Sequence, residues 1–370
     1  MVIVSQLLLY LCLSLLMGVV LGNSFFAGRM PKFHVPKWLL VTAAAGVIVF
    51  GFSSSLAIIL NMAADLSFAG ALWQVLFGFN TGRAWLFMYL ISVILIAFFA
   101  FDMMEGRAMM RAGVVLVALL AVAQSFGSHA FEQAAFWGVT VHAVHLLAVM
   151  TWSGLLIILG WFTVEKVKWT YVLSWFTRLA LISIIVLAVS GVFTGDVVTA
   201  NPQGAPINIF QRFANAWLTD YGQSLLFKQL LLVGILGFGI INGILYRKRL
   251  RDDPGLQIQP WIKAESFLVL IILAVTAFMS EQAIPNQIDT IIERNGASGL
   301  FEAVYGQGLP AGLTVALTFD AMGVVMLVLA AVFFGFMLYA AKMRMHAAVS
   351  LLMALCFTAS AYTGLMLSVA

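Results

Sequence analysis

Residues 135–162 read AFWGVTVHAVHLLAVMTWSGLLIILGWF, an almost unbroken apolar run with His142 and His145 set inside it. A bilayer core of ~30 Å needs ~20 predominantly apolar residues per helix. This run is long enough, and runs like it recur near 2–22, 38–62, 84–101, 112–127, 172–196, 223–246, 261–284, 317–341 and 345–368. The chain as a whole is 63% hydrophobic and 9% charged, where a soluble domain carries ~25% charged residues. Too little polar surface is left for a water-soluble globule. The fold expected is an all-α, polytopic transmembrane bundle of about ten helices, because helices satisfy their own backbone in lipid. The first run lacks a basic leader and the second follows it closely, so it reads as a retained helix and not as a signal peptide.

The basic residues orient the bundle. Alternate connections hold Arg29 and Lys37, Arg107 and Arg111, Lys168 and Arg178, the run YRKRLR from Tyr246 to Arg251, and Lys342 with Arg344. The other set holds little beyond Arg83, Arg212 and Arg294. By the positive-inside rule the first set faces the cytoplasm, and both termini face outward. The net charge of +4 then follows from topology and does not point to nucleic acid. The outer connection from Glu281 to Phe319 is acidic and long, which suggests capping or partner contact. The two cysteines, Cys12 and Cys356, lie far apart in apolar runs and suggest neither a disulfide nor a metal motif.

A histidine at bilayer depth costs free energy unless it faces protein, water or an ion. His142 and His145 are three residues apart and share one helix face. They lie about 10 and about 15 Å below the outer end of their helix, at ~1.5 Å per residue. His129 stands at the outer mouth of the same helix, so three of the five histidines follow one path. The bland alternative is an imidazole hydrogen-bonded to a neighbouring helix. Among the 18 methionines most are core filler, but Met62, Met150 and Met279 are placed to assist. Thioether with imidazole suits Cu(I), and imidazole alone suits Cu(II) or zinc. Trp152, two turns deeper than His145 on its face, could close a route below the pair. Asp196, Lys228 and Glu265 are further polar groups in or at the spans. Lys228 with Asp196 or Asp220 is the plain structural pairing, and relay of protons or ions is the functional one. No Walker A, GxSxG or HExxH motif occurs, so neither ATP-driven transport nor an enzyme is expected.

Four blocks resemble the copper resistance D (CopD) family of bacterial inner-membrane proteins. They are Ser128-His129-Ala130, HLLAVMTWSGL from His145 to Leu155, RLALISIIVLAVSGVFTG from Arg178 to Gly195, and Thr219, Tyr221, Gly222, Lys228 and Asn242 within 218–242. Glu265 and Pro285 match the acidic start and proline end of the next helix. The resemblance runs over about half the chain and implies three segments: N-terminal helices over 1–111, a CopD-like core over 112–285, and an outer loop with two C-terminal helices over 286–370. An eight-helix core plus two added helices is thereby expected. The resemblance implies a multi-pass protein of the bacterial inner membrane that binds copper and carries it inward without ATP. It also implies a periplasmic copper-binding partner of the CopC kind. His129 and His145 carry over as copper ligands. His142 departs from the family pattern and adds a nitrogen. Two alternatives stand beside this reading: a non-transporting copper sensor, donor or oxidase-assembly factor, and a haem-binding redox protein. Haem fits less well, because bis-histidine ligation needs facing histidines on two helices.

Overall fold

Apolar composition on every side of a helix leaves lipid or other helices as its only partners. Among its described residues the computed structural model meets this condition with ten helices long and apolar enough to cross a membrane. It describes all residues except 104–105, 165–167, 202–206, 254, 306–313 and 370. The chain is an all-α polytopic membrane protein, and no strand occurs among the described residues.

The chain divides into two units, Met1–Val197 and Val198–Ala370. In the first unit α1 (Val2–Asn23), α2 (Lys37–Met62), a short α3 (Phe68–Gly78), α4 (Asn80–Ala100), α5 (Arg107–Phe126) and α6 (His129–Phe162) follow in order. The next span, α7 (Trp169–Thr199), closes this unit and runs just past its boundary. Helix α1 is the hub, packing on α2, α5 and α6. Small residues permit its approach to α6. A Cβ on Gly18 would overlap the Gly154 carbonyl, and the Ser14 and Ser153 hydroxyls meet at 2.8 Å. Close backbone approach of this kind is how helices associate where lipid offers no hydrophobic drive.

The second unit contains α8 (Ile209–Ala216), α9 (Asp220–Asp252), α10 (Gln259–Met279), α11 (Ile288–Asn295), α12 (Gly299–Tyr305), α13 (Ala321–Lys342) and α14 (Ala347–Leu367). Helix α9 packs on α10 and α14, and α13 pairs with α14. A core of Leu218, Leu226, Phe301, Val315, Tyr362 and Met366 ties the short helices to the long ones. The long outer connection over 281–319 therefore contains two helices, α11 and α12, that periodicity did not announce. Helix α10 stops at Met279, earlier than the apolar run suggests, where Ser280 Oγ donates back to the Ala277 carbonyl at 3.0 Å.

One device recurs where spans begin. A Cβ at Gly82 would overlap the Val75 carbonyl, one at Gly138 the Ala130 carbonyl, and one at Gly222 the Ala216 carbonyl. Each time a short helical segment doubles back over the first turn of the next span, and only glycine leaves room for its carbonyl. In α6 the fold-back includes a true break. Ala134 and Ala135 leave helical geometry, and Ala135 takes φ 44° and ψ −125°. A positive φ at an alanine costs energy, and such residues cluster where the fold over-determines them.

Candidate functional site

Past the break, α6 runs inward and carries both intramembrane histidines on one face, each half-buried. The ring of His145 rests on α7. Its Nδ1 lies 3.0 Å from Ser190 Oγ. Ser190 has a single hydroxyl proton, which goes to the Val186 carbonyl at 2.6 Å. With that proton given to Val186, the serine oxygen is an acceptor for an imidazole protonated at Nδ1. The next residue provides the space: a Cβ on Gly191 would already stand 3.4 Å from His145 Cε1. Ser190 and Gly191 thus form a seat that orients the ring. A metal-binding imidazole ordinarily has such an oxygen partner on its other nitrogen. His142, one turn nearer the outside, makes polar or ring contacts of its own.

Below the pair the helix carries buried side chains. Met150 is 1% exposed and Trp152 is 4% exposed. The Trp152 indole nitrogen is buried and has no hydrogen-bond partner among the described residues. An orphaned donor of this kind costs about 1–3 kcal/mol.

His129 lies on the other side of the Ala134–Ala135 break. It is exposed and pairs with Glu132, Nδ1 to Oε2, at 3.2 Å. Among the described residues no three of His, Cys, Asp and Glu gather closely enough to hold a metal ion. The three histidines of the sequence path are therefore a surface residue and a membrane pair, not one ligand set. Met62 is partly buried against Ile59, Ala71 and Val75 at the end of α2. Met279 ends α10 in the second unit. Asp196, in the last turn of α7, is engaged in an interaction of its own.

In the second unit Asp220 accepts from Ser298 Oγ at 2.6 Å, and no ion pair joins it to Lys228 among the described residues. Lys228 is eight residues along α9, about 12 Å at ~1.5 Å per residue, and half-buried. Glu265, on α10, is buried at 4% exposure and accepts from Asn242 Nδ2 of α9 at 2.8 Å. The roles of Ser190 toward His145 and of Asn242 toward Glu265 escaped the sequence reading. Their signal was a Ser-Gly step and an amide inside otherwise apolar spans.

The class of protein is now defined: a multi-pass membrane protein of ten apolar spans with a polar seat inside the membrane. Residues 170–279 match the family model described as CopD, Copper resistance protein D. Over this stretch the chain is similar to the CopD family, membrane proteins related to copper resistance. The matched stretch is under a third of the chain. It contains Ser190, Gly191, Lys228, Asn242, Glu265 and Met279, while His129, His142, His145 and Trp152 precede it. No curated protein and no solved structure matches the chain.

Proposed function

We propose that this protein binds copper at His142 and His145 and carries it inward across the membrane without ATP. The observation that carries the reading is the seat of His145. Ser190 meets the ring at Nδ1 and Gly191 leaves it room, so the imidazole is held in one orientation inside the membrane. His142 on the same face adds a second nitrogen. Met150, buried within the same helix, offers a thioether farther along the route. Trp152 narrows the path beneath. His129 and Glu132, exposed at the mouth, receive the ion from outside or from a CopC-like periplasmic donor. Copper is the cargo here, and no chemical conversion is assigned to the protein.

The test is equilibrium copper binding to the purified chain, alongside a double variant, His142→Ala with His145→Ala. The expected result is loss of the high-affinity site. Unchanged stoichiometry and affinity in the folded double variant would overturn the assignment. Copper flux into proteoliposomes then separates a carrier from a sensor or donor. Binding without flux would reject transport and leave the second role.

A further inference from the structure

The second unit holds a polar pair that copper ligation does not use. Asn242 belongs to a π-helical stretch, Ile241–Tyr246, that interrupts α9. Such stretches add a residue to the turn, re-aim side chains and concentrate at functional sites. Here the amide points at α10, where Asn242 Nδ2 donates to Glu265 Oε2 at 2.8 Å. Both side chains are buried, each at 4% exposure. The other end of the amide, Asn242 Oδ1, is buried and has no hydrogen-bond partner among the described residues.

The charges nearby are committed elsewhere. Arg249 donates to the Ala341 carbonyl at 2.8 Å and to the Lys342 carbonyl, and stands 5.6 Å over the Tyr246 ring. Lys263 is two residues from Glu265 on the same helix, a spacing that does not bring side chains face to face. The helices packed against α10 are α9 and α14. Over its length α9 offers Asp220, Tyr221, Lys228, Tyr246, Arg247, Lys248, Arg249, Arg251 and Asp252 as titratable groups, and α14 offers Cys356 and Tyr362. None of them bonds Glu265 among the described residues. A bare carboxylate in that setting would be a buried charge held by a single neutral donor, which is expensive. A proton on the carboxyl resolves both deficits at once. The acid O–H supplies the donor that Asn242 Oδ1 lacks, and the acid carbonyl accepts from Nδ2. An amide turned end for end would still leave one of its ends unmatched without that proton.

We infer that Glu265 and Asn242 form an internal proton-binding site on the cytoplasmic side of the membrane. Glu265 is six residues into α10 from its inner end, about 9 Å at ~1.5 Å per residue, so the proton it holds exchanges with the inner face. The site lies inside the CopD-matched stretch but rests on its own geometry, and its test needs no copper.

The test is infrared spectroscopy of the copper-free full chain in lipid vesicles, in water and in heavy water. The wild type is expected to show a protonated-carboxyl stretch at neutral pH that moves to lower frequency in heavy water. Glu265→Gln keeps an amide in place of the acid and should remove that band. Asn242→Leu deletes the donor to the acid carbonyl and should move the band to higher frequency. Superimposable carboxyl regions in the wild type and Glu265→Gln would overturn the proposal. So would a Glu265 band that Asn242→Leu leaves in place.

Discussion

The two units hold their helices together by different means. In the first, α1 and α6 meet backbone against backbone at Ser14, Gly18 and Gly154, with a hydroxyl bond between Ser153 and Ser14 beside that contact. In the second, α9 and α14 meet through side chains that bond one another. The Tyr362 hydroxyl donates to Gln223 Oε1 at 2.5 Å, Gln223 Nε2 donates to the Trp217 carbonyl, and Tyr362 stacks on Phe227 with centroids 4.3 Å apart. A shape-matched contact has no slack for an added atom but depends little on any single hydrogen bond. A bonded contact tolerates modest changes of shape but not the loss of a partner.

Three substitutions would break or sharpen the contrast, each read as denaturant-induced unfolding of the purified protein in micelles by circular dichroism. The largest effect is expected for Gly154→Ala. Its methyl would overlap the Ser14 carbonyl and the Gly18 backbone, at a cost of about 2–3 kcal/mol as for other overpacked contacts. An intermediate effect of about 1 kcal/mol is expected for Tyr362→Phe, which strips Gln223 Oε1 of its donor while keeping the stack, since polar contacts between membrane helices are modest in worth. The smallest is Ser14→Ala. Ser153 retains the Val149 carbonyl at 2.6 Å as an acceptor, so the loss should be no more than about 0.6 kcal/mol. Should Ser14→Ala cost as much as Gly154→Ala, the first unit would be held by hydrogen bonds after all.

The ten spans could be read from the sequence because lipid imposes a single strong demand, a long apolar run, and each run satisfies it. The shared face of His142 and His145 was equally readable, since spacing within one helix fixes it. What could not be read depends on contacts between helices. Ser190 meets His145 across 45 residues, and nothing in the period of either helix sets their mutual rotation. The break between His129 and the pair lies at two residues, Ala134 and Ala135, whose composition is helix-favouring and whose geometry is not. The short helices Phe68–Gly78, Ile209–Ala216 and Ile288–Asn295 are too brief to give a strong pattern, and read as parts of connections and not as helices. The glycines at 82, 138 and 222 were visible as letters. Their meaning needed the carbonyl that lies over each.

Those doubled-back corners bear on assembly. Each joins residues fewer than ten apart along the chain, from Val75 to Gly82, Ala130 to Gly138 and Ala216 to Gly222. Loops that short close within about 10–100 ns, far faster than a ribosome adds the following residue. Each corner can therefore snap shut as its own span emerges, before any later helix exists to brace it, and the depth at which that span starts is settled one segment at a time.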